Sequence, residues 1–273
     1  MVIKSKNILL AILFLISALR AGDFEPGAEA LDWGGIALLS AGAVTLDYSG
    51  PFFEEPLFAG DTDLPHSPEE TVPNSALYAA GVAIAGAVVA LPLPDVDSDS
   101  RLCRRYRYLK GFMGMVALER FLVGLGKDLA GVPRPDADAR RELGMPEREI
   151  RSSFPSGHAS FAAAGATYFS LYLLDSAPEG EKTIWRAARG FGAAATILGA
   201  VYVADSRIQD NAHRPEDVYA GAGLGCASAA AAFLWVKHDI GTESGIVLEP
   251  LPGGLALSFP FRRIAKSRPR GEF

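Results

Sequence analysis

The sequence predicts an all-α fold: a bundle of about five to six helices, most of them spanning a membrane, with a small C-terminal β-hairpin. Three observations carry this. Nearly half the residues are hydrophobic, and they segregate into Ala/Val/Leu-rich blocks separated by polar loops. Those blocks hold much Ala, Leu and Gly and few β-branched runs, which favours helix over strand. Several approach the ~20 residues that a bilayer crossing requires.

At the N-terminus, Lys4 and Lys6 precede an apolar stretch from Ile8 to Ile16, with Ala18 and Ala21 after it. Residues 1–21 therefore read as an export signal or as an uncleaved signal anchor. Leu19 is a poor small residue two positions before a cut after Ala21, which keeps the anchor reading open. Residues 22–73 read as an extracytoplasmic segment. It carries a short helix over the apolar run from Gly34 to Leu46, then a loop rich in Pro, Glu and Asp that ends near Pro73.

The helical core occupies residues 74–237. Its apolar blocks run from Ala76 to Leu91, Leu109 to Leu129, Ala159 to Leu174, Phe191 to Ala204 and Val218 to Val236. Gly81, Gly86, Gly221 and Gly225 suit close helix–helix approach. Glu119 and Arg120 inside the second block must face the bundle if that helix lies in lipid. The same blocks would also serve as the core helices of a soluble protein, and detergent-free solubility separates the two cases. In residues 238–273, Gly245 to Pro260 alternates around Pro252-Gly253-Gly254, the pattern of a β-hairpin, before a basic tail over 262–270.

Charge sets the orientation. Arg101, Arg104, Arg105, Arg107 and Lys110 separate the first two core blocks, and Lys182, Arg186 and Arg189 separate the third and fourth. With the N-terminal segment kept as an anchor, both basic loops fall on the cytoplasmic side, as the positive-inside rule asks. The loops at 130–158 and 205–217 then face outward, in a bacterial-type cell envelope, from an inner membrane toward the periplasm or exterior.

A net charge of −6 with no basic face excludes a nucleic-acid binder. Two cysteines, Cys103 and Cys226, make no disulfide framework, and Cys226, inside an apolar run, reads as core packing. The chain lacks a CxxC pair, an HExxH and any Cys/His cluster, so no metal site is expected.

Three polar clusters stand at the ends of apolar blocks, all on the outward side. In the first, Lys127 ends a helix that Gly131 and Pro133 must break, so Lys127 and Arg134 can converge as a pair of cations suited to an anion. In the second, Phe154-Pro155-Ser156-Gly157-His158, Ser156 is a natural N-cap and Gly157 lets backbone approach an anion closely. His158 falls in the first helical turn, able to give a proton to a group bound there. In the third, Ser206 and Arg207 are followed by His213 and Asp217. Asp217, four residues on, can reach the imidazole and fix its orientation, leaving the other ring nitrogen as an electron-rich nucleophile. Taken singly, each cluster also reads as ordinary surface or helix-capping chemistry. The chain holds only four histidines, however, and two of them sit in these clusters.

Together the clusters resemble the signature Lys-x6-Arg-Pro, Pro-Ser-Gly-His and Ser-Arg-x5-His-x3-Asp of the type 2 phosphatidic acid phosphatase superfamily. That family includes lipid phosphate phosphatases, class A acid phosphatases and vanadium haloperoxidases. The resemblance implies that Lys127, Arg134 and Arg207 hold phosphoryl oxygens, with hydrogen bonds from Ser156 and Gly157. It implies further that His213 is the nucleophile, oriented by Asp217, and that His158 protonates the leaving oxygen and later activates water. No cofactor is implied, and a phosphomonoester or pyrophosphate of a membrane lipid is the expected substrate, with a soluble periplasmic broad-specificity acid phosphatase, a vanadium haloperoxidase or a non-catalytic lipid-binding membrane protein as alternatives. Members often carry Gly where this chain has Asn211, the non-glycine residue best able to adopt the left-handed conformation.

Overall fold

The computed structural model describes residues 26–91, 98–177, 180–240, 247–251 and 254–258. The proposed export segment and the basic tail lie outside them. Six long helices carry the fold: α1 (Pro26–Ser49), α2 (Asn74–Ala90), α3 (Ser98–Ala130), α6 (Gly157–Asp175), α7 (Thr183–Gln209) and α8 (Pro215–Ile240). Two short helices, α4 (Ala137–Glu142) and α5 (Glu147–Ile150), fold the stretch between α3 and α6. Strands β1 (Val247–Leu251) and β2 (Gly254–Ser258) pair antiparallel with Leu251 opposite Gly254, the hairpin that the alternation anticipates.

Helices α3, α6 and α8 form the centre, with α1 laid on α3, α7 on α6, and α2 bridging α3 and α6. The core between them includes Tyr108, Phe112, Tyr168, Tyr172 and Phe233. Buried tyrosines need partners for their hydroxyls. Tyr168 donates to the Tyr108 carbonyl at 2.7 Å and Tyr172 to the Val88 carbonyl at 3.1 Å. Two glycines set the closest helix contact. A Cβ on Gly221 would lie 2.4 Å from the Ser156 carbonyl oxygen, and one on Gly225 would lie 2.1 Å from that of Ser160. Gly81 faces Phe161 closely, whereas Gly86 borders open space, so only the first of that pair serves packing.

Three sequence expectations change. The apolar run at 34–46 is the middle of a 24-residue helix, not a short one. The block at 191–204 is likewise the centre of the 27-residue α7. Cys226 is exposed, not core, and accepts a hydrogen bond from Thr167 Oγ1 at 3.3 Å. Helices Thr183–Gln209 and Pro215–His238 are long and apolar enough to cross a membrane by length and composition. The apolar stretch of α7 is unburied, exposing Phe191, Leu198, Val201 and Tyr202.

Candidate active site

The three polar clusters sit at one end of the bundle. Helix α3 ends at Ala130 because Gly131 takes φ 55° and turns the chain, its amide bonding the Lys127 carbonyl at 2.8 Å. Arg134 follows in the loop, its amide held by the Ile150 carbonyl at 2.9 Å. Ser156 stands at the N-cap of α6, and its amide donates to the Asp217 carbonyl at 2.9 Å, which ties the second cluster to the third. Its hydroxyl makes no capping bond and is buried without a partner. Arg207 lies in the last turn of α7, and the turn after it folds back so that the Ala212 and His213 amides reach the Arg207 carbonyl at 3.1 and 3.2 Å. Asn211 makes that turn with φ 52°, the left-handed conformation its residue type permits.

Lys127, Arg134, Gly157, His158, Arg207 and His213 all line one cavity of about 230 Å³. Ser156 and Asp217 lie behind its wall, fully buried. His213 is 3% exposed, with Nε2 3.4 Å from Arg134 Nη1. Its Nδ1 lies 3.8 Å from Asp217 Oδ2, beyond hydrogen-bond reach. That carboxylate oxygen instead accepts from Ser153 Oγ at 2.6 Å and from the Arg214 amide at 3.0 Å. These two bonds hold Asp217 while its other oxygen stays without a partner.

The electrostatics favour a neutral imidazole. Burial, then the nearby charges of Arg134, Lys127 and Arg207, holds His213 well below the usual histidine range. Burial also lowers Arg134 to about 10, which leaves its guanidinium charged at neutral pH. The site is thus an unprotonated ring nitrogen facing a cationic cavity, an arrangement suited to attack on a bound phosphoryl group.

Several contributors come from outside the clusters. The segment 50–73 lies across the site: Leu57 N bonds the Ala130 carbonyl at 2.8 Å, and Leu64 N bonds that of Pro135 at 3.0 Å. It brings Glu70 into the cavity wall, where Arg120, Tyr78 and Phe161 also appear. Ser153 is the support of Asp217. The acidic, proline-rich composition of residues 51–73 marks that segment as a loop, but no local pattern in it points to the site.

Residues 108–240 match the family model of the PAP2 superfamily. A Drosophila melanogaster protein provisionally named a phosphatidate phosphatase is 38% identical over 85 residues, 30% of this chain and 21% of that one. Lipid phosphate phosphatase 1 of Arabidopsis thaliana is 37% identical over 83 residues, 30% of this chain and 25% of that protein. A PA-phosphatase related-family protein of Dictyostelium discoideum is 35% identical over 98 residues, 35% of this chain and 36% of that protein. The chain thus spans between about a fifth and a third of the length of these curated relatives.

Proposed function

Residues 108–240 form a PAP2-superfamily domain, and on that premise we propose that the chain is a metal-independent phosphatase of a membrane lipid phosphate. The observation that carries this reading is the single cavity in which three cations, Lys127, Arg134 and Arg207, face two imidazoles, His158 and His213. The cations take the non-bridging phosphoryl oxygens and offset the charge that spreads over them in the transition state, as a metal ion does in other phosphatases. Burial and the three cations lower His158 to about 4, and a bound phosphate, by offsetting those cations, raises its hold on a proton. His213 Nε2 attacks phosphorus and forms the N–P bond while the ester O–P bond breaks, and the protonated His158 gives its proton to the leaving oxygen. In the second half, His158 takes a proton from water as the water oxygen attacks the phosphohistidine. The N–P bond then breaks, releasing inorganic phosphate and restoring both rings. Asp217, 3.8 Å from the His213 ring, is placed to offset the positive charge that the ring gains once it is phosphorylated, and Ser153 and the Arg214 amide hold Asp217 there.

A lipid rather than a soluble ester is favoured by a second, apolar groove of about 400 Å³ between α2, α6 and α7. Leu77 and Phe161 line both the groove and the polar cavity, so an alkyl chain attached to a phosphate in one can lie in the other. The exposed side of α7 fits a lipid setting. Trp185 and Tyr202 are both exposed and stand about 26 Å apart along its axis, close to the depth of a hydrocarbon layer with aromatic residues at its borders. Lys110 and Lys127 are similarly about 26 Å apart on α3. The basic residues that the sequence places in loops lie in the first turns of α3 and α7, and the cavity opens at the opposite membrane face, the outer one under the positive-inside rule.

Gly199 offers the test of the groove, because it lines the groove and a Cβ there meets nothing within 4 Å. Gly199→Leu is expected to fill the groove and to lower kcat/KM for a long-chain lipid phosphate about tenfold, the burial of roughly two methylenes. Hydrolysis of p-nitrophenyl phosphate should change less than twofold. Equal losses on both substrates, or no loss on the lipid, would remove the groove from substrate binding.

A further inference from the structure

The cavity holds one anionic side chain among the described residues that line it, Glu70. Glu70 Oε1 lies 3.1 Å from Arg207 Nη2. Glu70 Oε2 lies 4.0 Å from His158 Nε2, a buried nitrogen with no hydrogen-bond partner. The two oxygens of one carboxylate thus face the arginine read above as a holder of phosphoryl oxygen and the imidazole read as the donor to the leaving oxygen. A carboxylate in that place stands where a phosphate ester would present its own oxygens.

The two partners differ in freedom. The Arg207 side chain is 2% exposed and is also held by the Val72 carbonyl at 3.4 Å and Asp210 Oδ2 at 3.3 Å. The Glu70 side chain is 43% exposed. The main chain beside Glu70 is fixed, since Thr71 bonds Asp210 through its amide at 3.0 Å and its hydroxyl at 2.6 Å. An incoming anion therefore leaves Arg207 in place and turns the Glu70 side chain outward, without opening the segment that bears it.

We propose that Glu70 is an intramolecular counter-anion of the phosphoryl site. It pairs with Arg207 while the site is empty, yields the guanidinium to the substrate, and returns to it as inorganic phosphate departs. The proposal rests on the phosphatase reading and adds to it a residue for product release. Two effects act in one direction. A phosphate must break the Arg207–Glu70 pair to bind, and once bound it carries about −1.5 to −2 charges beside a displaced carboxylate. Both weaken the hold on free phosphate, and an enzyme gains when ground state and product are not bound as tightly as the transition state.

The test is calorimetric titration of orthophosphate into the full chain in detergent micelles, for wild type, Glu70→Gln and Glu70→Asp. Loss of the charge in Glu70→Gln is expected to tighten orthophosphate binding about tenfold. Glu70→Asp, which keeps the charge, should stay within about threefold of wild type, a check that the side chain's charge and not its bulk is read. Unchanged or weaker binding in Glu70→Gln overturns the proposal, because a residue that merely positions Arg207 loses affinity when removed. Orthophosphate bound by neither wild type nor Glu70→Gln removes the phosphoryl-site reading itself, and the counter-anion with it.

Discussion

His213→Ala is expected to lower phosphate release from a lipid phosphate by at least about 10⁴-fold, the scale seen when a covalent nucleophile is removed. The ring that disappears is 3% exposed, is kept neutral by burial among cations, and presents Nε2 beside the Arg134 guanidinium. His158, the second imidazole of the cavity, lies in the first turn of α6 and is already assigned to the proton. The three cations remain in the variant, so orthophosphate affinity should fall by less than about tenfold, which separates loss of chemistry from loss of binding. His213→Gln, closer in volume, guards against a mere packing defect and should be as inactive as the alanine form. Initial rates in the presence of EDTA are the readout, and a rate within tenfold of wild type in either variant would remove His213 from the chemistry.

The second large effect is expected from Arg134→Lys, about 10²-fold in kcat, the lower range for one lost transition-state donor. Arg134 does more than supply charge. Its Nε donates to the Glu149 carbonyl at 3.0 Å and its Nη1 to the Ala212 carbonyl at 3.0 Å, one residue before His213. Nη2 reaches Ser152 Oγ at 3.4 Å. One planar fork thus joins the loop before α6 to the turn that carries His213. A lysine ammonium keeps the charge but cannot span those directions. The effect should appear in kcat more than in KM, since Lys127 and Arg207 still bind the ground state. A lysine variant within threefold of wild type in kcat would mean that charge alone is used there.

The clusters that line the cavity are legible in sequence because each is local. Lys127 and Arg134 straddle a helix end marked by Gly131 and Pro133, and His213 and Asp217 straddle the start of α8. Spacing along the chain therefore stands in for distance. Asn211 is a case where residue type alone anticipates a backbone angle. Glu70 and Ser153 escape such a reading, since their partners Arg207 and Asp217 lie 137 and 64 residues away. Nor does sequence spacing foresee that Asp217 faces His213 at 3.8 Å while bonding Ser153, because the chain's route through 151–156 decides it.

Helix lengths failed for a related reason. The apolar run in α1 stops at charged residues, but Glu29 and Asp32 remain in the helix because Lys110 of α3 meets them at 2.9 and 2.7 Å. Trp33 joins the same group by donating to Tyr106 Oη at 2.8 Å. A hydropathy reading takes those carboxylates as an end, whereas the fold neutralises them from a helix about 80 residues away. Cys226 illustrates the converse. Its apolar neighbours suggest a core position, yet it lies on the exposed side of α8, as an outward residue of a helix in lipid would. The apolar character of a run does not by itself tell which side of the helix faces the core.

The most direct test of the central claim is to trap the intermediate. Wild type is mixed with a ³²P-labelled lipid phosphate, quenched in alkali within the first turnovers, digested and sequenced by mass spectrometry. The phosphohistidine mechanism predicts label on the peptide carrying His213, stable to alkali, lost in acid, and absent from His213→Ala. Label on no peptide while substrate is still hydrolysed, or label on a residue other than His213, would contradict it.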